Sequence, residues 1–309
     1  MNTEHFLKLA PNKTVIIIAG PTAVGKTAVA IEVAKHFKTE IISADSRQCF
    51  KEMSIGVARP SIEELQQVPH HFIASHTIQD EVTAATFEQY ALQKTKELFH
   101  QHDTVVMTGG TGLYIKAFCE GLDEIPGIPS QVRDTIITKY KEDGLTWLQR
   151  EIKIKDPAYY QSGEIQNPQR MMRALEVIEA TGNSILHFQK KKKVTRDFVI
   201  KKLGLELPKE ELRQRINIRV DRMMQAGLLD EVNNLLPFKQ LNALQTVGYA
   251  ELFDYLDNKI SLNKAVEEIK IHTRQYAKRQ MTWFKKDKEL EWFSPFDISA
   301  ILKFLKEKR

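Results

Sequence analysis

Residues 20–27 read Gly-Pro-Thr-Ala-Val-Gly-Lys-Thr, and they constrain the chain more than any other stretch. Ahead of them the β-branched run Val15–Ile18 has the composition of a strand buried on both faces. Behind them TAVAIEVAKHF spaces its apolar residues as a helix does. Strand, glycine loop and helix in this order are the context in which Gly-x-x-x-x-Gly-Lys-Thr binds phosphate. The loop Gly20, Pro21, Thr22, Ala23, Val24, Gly25, Lys26, Thr27 lets backbone N–H groups converge on one point. The helix N-terminus adds partial positive charge at the same place. Lys26 reaches the outermost phosphate, and the Thr27 hydroxyl is placed to ligate Mg²⁺. The expected ligand is a di- or triphosphate.

The rest of the chain limits what that ligand is used for. With 309 residues there is material for one large domain or two modest ones. The 28% of charged residues leaves no apolar run near the roughly 20 residues that span a bilayer, so no membrane partner is expected. The opening MNTEHFLKLAPNK lacks the regions of a signal peptide. Cys49 and Cys119 are the only cysteines and form no C-x-x-C pair, so neither a disulfide framework nor a zinc site is indicated. A reducing cytoplasm is the expected compartment. The net charge of +5 is a mild indication of an anionic partner.

The first third alternates strand and helix. Val15–Ala19, Glu40–Ala44 and Thr104–Thr108 read as strands; Ala28–Phe37, the stretch from Thr83 and Leu113–Cys119 read as helices. This order predicts an α/β fold: a P-loop-type parallel sheet flanked by helices. Ligands of such sheets sit beyond the carboxyl ends of the strands. The phosphate loop, Asp45-Ser46-Arg47-Gln48 and Gly109–Gly112 all fall at those ends and are candidates for one cleft. After about Gly121 the composition changes, Pro126, Gly127 and Pro129 mark a linker, and strand signals vanish for some seventy residues. Within that segment Asn167-Pro168 starts a helix that Gly182 ends. The predicted organisation is a core domain over residues 1–124 and 198–309, with a mostly helical insertion domain at 125–197. Phe198–Leu207 returns to the sheet, and helices over Pro208–Ala226, Leu228–Leu236 and Leu262 to about Lys286 complete the chain.

Asp45 closes the second strand, where a carboxylate can ligate Mg²⁺, act as a base on whatever lies beside the phosphates, or simply serve as a helix N-cap or salt-bridge partner. The third strand ends Met107-Thr108-Gly109-Gly110 without the carboxylate of a motor ATPase, and no Asn-Lys-x-Asp of a GTPase follows. Cations cluster late in the chain. Lys190–Lys193 form a run, followed by Arg196, Lys201 and Lys202. Lys270, Arg274 and Lys278 recur every four residues on one helical face, with Tyr276, Arg279, Trp283, Phe284, Lys285 and Lys286 nearby. The core-facing stripe of that helix is Leu262, Ala265, Val266, Ile269 and Thr273. Arg170 and Arg173 repeat the theme in the insertion. Cations among aromatics suit phosphate backbones and unstacked bases, so a phosphate loop beside them suggests an enzyme acting on a polynucleotide.

Seven stretches together resemble the tRNA dimethylallyltransferase (isopentenyl-tRNA transferase) family. They are GPTAVGKT, ISADSRQCFKEMSIGVARP, TGGTGLYIKAFCEGL, NPQRMMRALEVIEATG, RINIRVDRMMQAGLLDEV, LQTVGYAEL and IKIHTRQYAKRQMTWF, in the family's order from about Lys13 to Phe284. Val24 stands where the family's loop commonly has serine, and Cys49-Phe50 where it has an aliphatic residue and tyrosine. Ending at Arg309 without the zinc finger of eukaryotic relatives, the chain resembles the bacterial form.

The resemblance implies transfer of a dimethylallyl group from dimethylallyl diphosphate to N6 of adenine 37 in the tRNA anticodon stem-loop. The phosphate loop then holds a leaving group, with Mg²⁺ at Thr27 and help from Arg219. Asp45 is implied as the base: the N6 amine becomes acidic only as its bond to carbon forms, so a weak base suffices. Asp45, Ser46, Arg47 and Gln48, together with Gln166, Asn167, Pro168, Gln169 and Arg170, are implied tRNA contacts, and Thr111 is placed at the cleft. Arg274 and Lys278 join them from the basic row. The adenine leaves its stack, and a channel between the sheet domain and the insertion is the expected route. No obligatory protein partner is evident, and a monomer is expected. Three rivals share parts of this reading: a P-loop kinase of a nucleoside or small metabolite, a non-enzymatic RNA-binding module, and a transferase whose acceptor is free AMP.

Overall fold

In the computed structural model, which describes residues 13–190 and 193–307, Thr14–Ala19 forms the central strand β1. The opening MNTEHFLKLAPNK apart from Lys13, together with Lys191 and Lys192 of the lysine run, lies outside those residues. Alternate side chains of β1 enter two different cores. Val15, Ile17 and Ala19 join one, while Ile16 and Ile18 join the other, all essentially inaccessible. That double burial is why the strand is continuously apolar.

Five further strands complete the sheet among the described residues: Ile41–Ser43 (β2), His70–His71 (β3), Thr104–Gly109 (β4), Val199–Leu205 (β5) and Glu291–Phe293 (β6). Their order is β3-β2-β4-β1-β5-β6, and every pairing is parallel. The strand signal at Phe198–Leu207 thus corresponds to β5 beside β1, with Thr14 opposite Val199. Parallel strands need crossovers, and helices supply them. Lys26–Phe37 (α1) follows β1, Ile62–Gln67 (α2) precedes β3, Ala84–Leu98 (α3) precedes β4, and Gly112–Glu120 (α4) follows it.

The chain divides into two compact units, residues 1–119 with 195–309, and Glu120–Val194. The second is all helical among the described residues: Ser130–Lys155 (α5, broken at Gly144), Pro157–Ser162 (α6), Pro168–Thr181 (α7) and Ile185–Phe188 (α8). It has its own apolar core, including Leu148, Ile152, Met171, Leu175 and Val177. The sequence signals at its main helix take the expected form. Asn167 Oδ1 accepts from Arg170 N at 3.3 Å, Pro168 opens the helix, and Gly182 closes it in the left-handed region at φ 70°. The ends of this unit are tied together, Val194 N donating to Glu120 O at 2.8 Å.

The first unit ends in Lys209–Gln225 (α9), Leu228–Asn234 (α10), Tyr249–Leu256 (α11), Leu262–Phe284 (α12) and Ile298–Lys306 (α13). Here the reading of helices to the end needs correction, because β6 intervenes. Glu291–Phe293 is too short to read as a strand by itself, yet Leu203, Gly204 and Leu205 of β5 leave an open edge for it. Gly204 makes room, since a Cβ there would lie 2.8 Å from the Trp292 ring. No helix among the described residues is long and apolar enough to cross a membrane.

Candidate active site

The phosphate loop closes onto α1 through backbone conformations that side chains rarely adopt. Gly25, at φ 108°, caps α1, and Ala23 has φ 64°. A side chain at Gly25 would be strained whatever space it had, which explains the second glycine of the motif. Lys26 Nζ donates to Pro21 O at 2.7 Å, so the lysine folds back over its own loop.

The second strand delivers Asp45 to the same place. Asp45 Oδ1 accepts from Arg47 N at 2.9 Å and Gln48 N at 3.2 Å, which fixes the plane of the carboxylate. Beyond it the chain is clasped from several sides. Gln48 Nε2 donates to Ala58 O at 3.0 Å, and Arg59 Nη2 donates to Phe50 O at 2.7 Å, to Lys51 O at 2.9 Å and to Met53 O. Glu231 accepts from the backbone N–H groups of Ser54, Ile55 and Gly56 at 2.8–3.0 Å, and from Tyr249 Oη at 2.6 Å. None of these clasps was legible as such, because an ion or amide that bonds backbone leaves no partner to find in sequence.

Gly109–Gly112 turns between β4 and α4, and its glycines are there for close approach. A Cβ at Gly109 would lie 2.1 Å from Ala44 O, and one at Gly112 would lie 2.2 Å from the Trp283 ring. The turn aims the Thr111 hydroxyl at Ser46, accepting from Ser46 N at 3.0 Å. Thr111 itself does not line the cavity. It holds the Asp45 turn from behind, and Tyr276 bonds it from α12.

The three clusters surround a cavity of about 1140 Å³, lined by Lys26, Thr27, Asp45, Ser46, Arg47 and Gln48, and by Arg219 from α9, whereas Gly20, Pro21 and Val24 of the loop do not line it. Arg59, Arg215 and Arg222 line it too, so six Lys or Arg face two carboxylates, Asp45 and Glu64. That excess suits an anionic ligand. Burial pushes the Lys26 ammonium down to about 7; Asp45 opposes the shift and Arg219 adds to it. Burial also lowers Arg219, against the pull of Asp45. The Tyr276 hydroxyl is pushed up to about 12, by burial first and then by Asp45.

Two expected groups stand elsewhere. Arg274 and Lys278 of α12 are outside the cavity lining, and Arg274 donates to Asn217 Oδ1 at 2.7 Å. Their neighbour Lys270 is spent on Asp221 at 2.9 Å and Glu267 at 3.1 Å, so the row of cations is only partly available. Phe284 is core, whereas Tyr276 and Trp283 are each 37% exposed. Gln166, Gln169 and Arg170 are exposed on the helical unit, Arg170 paired with Glu164, and Arg173 with the buried Glu176 at 3.1 Å. One buried residue escaped the sequence reading altogether. Gln280 of α12 lines the cavity, accepts from Thr22 N at 2.8 Å and donates to Gly110 O at 2.9 Å.

Fold and cavity together define a P-loop α/β protein that presents a carboxylate beside its phosphate cradle. The IPP transferase family matches residues 48–287. The chain is 49% identical over 285 residues to the tRNA dimethylallyltransferase of Christiangramia forsetii, covering 92% of this chain and 94% of that one. It is 44% identical over 293 residues to tRNA dimethylallyltransferase 1 of Bacteroides thetaiotaomicron, covering 95% of each. Among solved structures, the tRNA isopentenylpyrophosphate transferase of Bacillus halodurans superposes with a TM-score of 0.69 at 33% identity, over 95% of both chains. A eukaryotic dimethylallyltransferase acting on tRNA gives 0.75 at 26% identity, over 93% of this chain and 75% of that one. The chain belongs to the IPP transferase family. The kinase alternative is not favoured by these relatives.

Proposed function

We propose that this chain transfers the dimethylallyl group of dimethylallyl diphosphate to N6 of adenine 37 in tRNAs reading codons that begin with U, releasing diphosphate. The observation that carries the reading is one cavity holding both a phosphate loop and a backbone-fixed carboxylate, Asp45. In the reaction the allylic C–O bond breaks, the electron pair leaves with diphosphate, and the N6 lone pair forms the new C–N bond. The N6 proton passes to Asp45. Both backbone bonds to this carboxylate fall on Oδ1, which leaves Oδ2 for the amine. Lys26, Arg219 and the N–H groups of the loop stabilise charge on the departing diphosphate.

Mg²⁺ fits the residues present. No group of three or more His, Cys, Asp or Glu among the described residues could hold a metal unaided, whereas Mg²⁺ characteristically shares substrate phosphates with one or two protein oxygens. The Thr27 hydroxyl, lining the cavity at the start of α1, would hold the ion, which would supply positive charge to the departing diphosphate. Ser46, Arg47 and Gln48 are proposed to receive the base, and Gln166–Arg170, Arg274 and Lys278 to contact the stem-loop as a monomeric enzyme engages it.

The test is transfer of label from radiolabelled dimethylallyl diphosphate to unmodified tRNA, with Asp45→Ala and hydrolysis of γ-phosphate-labelled ATP followed in parallel. Label in tRNA that disappears in the variant, with ATP untouched, is the expected result. Phosphate transfer from ATP without tRNA would overturn it, and label entering AMP would move the acceptor.

A further inference from the structure

The phosphate loop of this chain follows the same Gly-x-x-x-x-Gly-Lys-Thr pattern that elsewhere cradles triphosphates, so something must set how many phosphates it accepts. The side chain of Gln280 bears on that question. It is 6% exposed, and its carboxamide bridges two backbone groups on different segments. Oε1 accepts from Thr22 N at 2.8 Å, and Nε2 donates to Gly110 O at 2.9 Å. A carbonyl can only accept and a backbone N–H can only donate, so the two partners fix the amide in one orientation. Gly110 is itself cut to admit it, for a Cβ at that position would lie 2.2 Å from Gln280 Nε2.

We infer that Gln280 is a specificity-determining residue that stops the phosphate loop one phosphate short, making it a cradle for diphosphates and not triphosphates. This rests on the reading of residues 20–27 as the diphosphate site. Thr22 stands three residues ahead of Gly25, the first of the Gly25, Lys26 and Thr27 N–H groups that open α1. Two phosphates seated at the helix N-terminus leave Thr22 N as a donor for a third. Gln280 removes that donor and sets the negative end of a buried amide dipole where the third phosphate's oxygens would come. A bare anionic oxygen meeting Oε1 at contact distance, with no donor between them, is repelled, and burial strengthens the repulsion. The same oxygen does not trouble a diphosphate, which needs no contact at Thr22. Sequence alone hides this, because a glutamine within a helix rich in Lys and Arg reads as surface.

The experiment is calorimetric binding of inorganic diphosphate and inorganic tripolyphosphate, each with Mg²⁺, to the full chain and to Gln280→Ala. Wild type is expected to prefer diphosphate, and the variant to shift the affinity ratio toward tripolyphosphate by roughly tenfold, the size of one buried polar contact. Thermal unfolding by circular dichroism runs in parallel. If Gln280→Ala does not fold, Gln280→Met keeps the volume without the acceptor and must show the same shift. Gln280→Glu keeps an acceptor, adds charge, and must hold the ratio at or beyond the wild-type preference. A wild type that does not discriminate, or a folded variant with an unchanged ratio, overturns the inference. Failure of wild type to bind either anion would instead sink the reading of the loop as a diphosphate site.

Discussion

At the scale of single residues, the cavity makes two separable claims about charge. Asp45 is held by two backbone N–H groups on Oδ1, and asparagine keeps that acceptor while removing the base. Asp45→Asn is therefore expected to slow single-turnover transfer at saturating tRNA by about 10²–10⁴-fold, the usual worth of a positioned general base. An unchanged rate would remove Asp45 from the chemistry. Lys26 makes the second claim. Its pKa of about 7 without ligand is set by burial, and a bound polyanion raises it. Binding then takes up a proton: the favourable contribution is complete below pH 7 and is lost as pH rises from 7 toward the ligand-bound pKa. Calorimetry of inorganic diphosphate binding in EDTA at about pH 8, in buffers of differing ionisation enthalpy, is expected to show about one more proton taken up by wild type than by Lys26→Met. Equal uptake would mean that Lys26 is already charged in the empty site.

At the scale of elements, the site is built by close approaches at strand ends, and these are the places where a methyl group decides. Gly109→Ala would set its Cβ 2.1 Å from Ala44 O, against the Ala44 backbone and with no flexible side chain to yield. The expected loss is on the order of 3 kcal/mol, read as a lower urea midpoint at unchanged slope. Gly127→Ala, with nothing within 4 Å of its Cβ, is the control and should stay within about 0.5 kcal/mol. The same elements show how far sequence reasoning reaches. β1 and β4 were legible because burial on both faces forces continuous apolar runs, and α7 because Asn167, Pro168 and Gly182 each serve a backbone need. β3 and β6 were not, since His70–His71 and Glu291–Phe293 are two and three residues long and owe their state to a neighbouring strand. The phosphate loop and Asp45 could be read because glycine spacing and strand ends are local facts. Gln280 and Glu231 could not, because each acts on backbone from a segment remote in sequence, Gln280 on Thr22 across 258 residues.

At the scale of the whole molecule, the chain interrupts one folding unit with another, and the junction suggests that the interruption can be undone. Glu120–Val194 has a separate apolar core, which is the requirement for a unit that can fold or be lost alone. Its two ends meet through Val194 N and Glu120 O at 2.8 Å, and Lys193 pairs with Glu120 at 2.6 Å. On the other side of the junction, Arg196 Nε donates to Phe118 O at 2.8 Å and Nη2 to Glu88 at 2.7 Å, so α4 and the segment leading into β5 are anchored within the first unit. Replacing residues 121–193 with a short Gly-Ser linker should therefore leave a cooperatively folding chain with its phosphate loop, Asp45 turn and Arg219 in place. That chain is expected to bind inorganic diphosphate with Mg²⁺ within about threefold of wild type, because every loop contact lies in the retained unit. Affinity for the anticodon stem-loop is expected to fall by roughly a hundredfold, as the chain loses the contacts proposed for the exposed Gln166, Gln169 and Arg170. Filter binding at fixed salt measures the second quantity and calorimetry the first. Undiminished tRNA binding would assign RNA recognition wholly to the sheet unit, and loss of diphosphate binding in a folded chain would show that the helical unit is needed to complete the cradle.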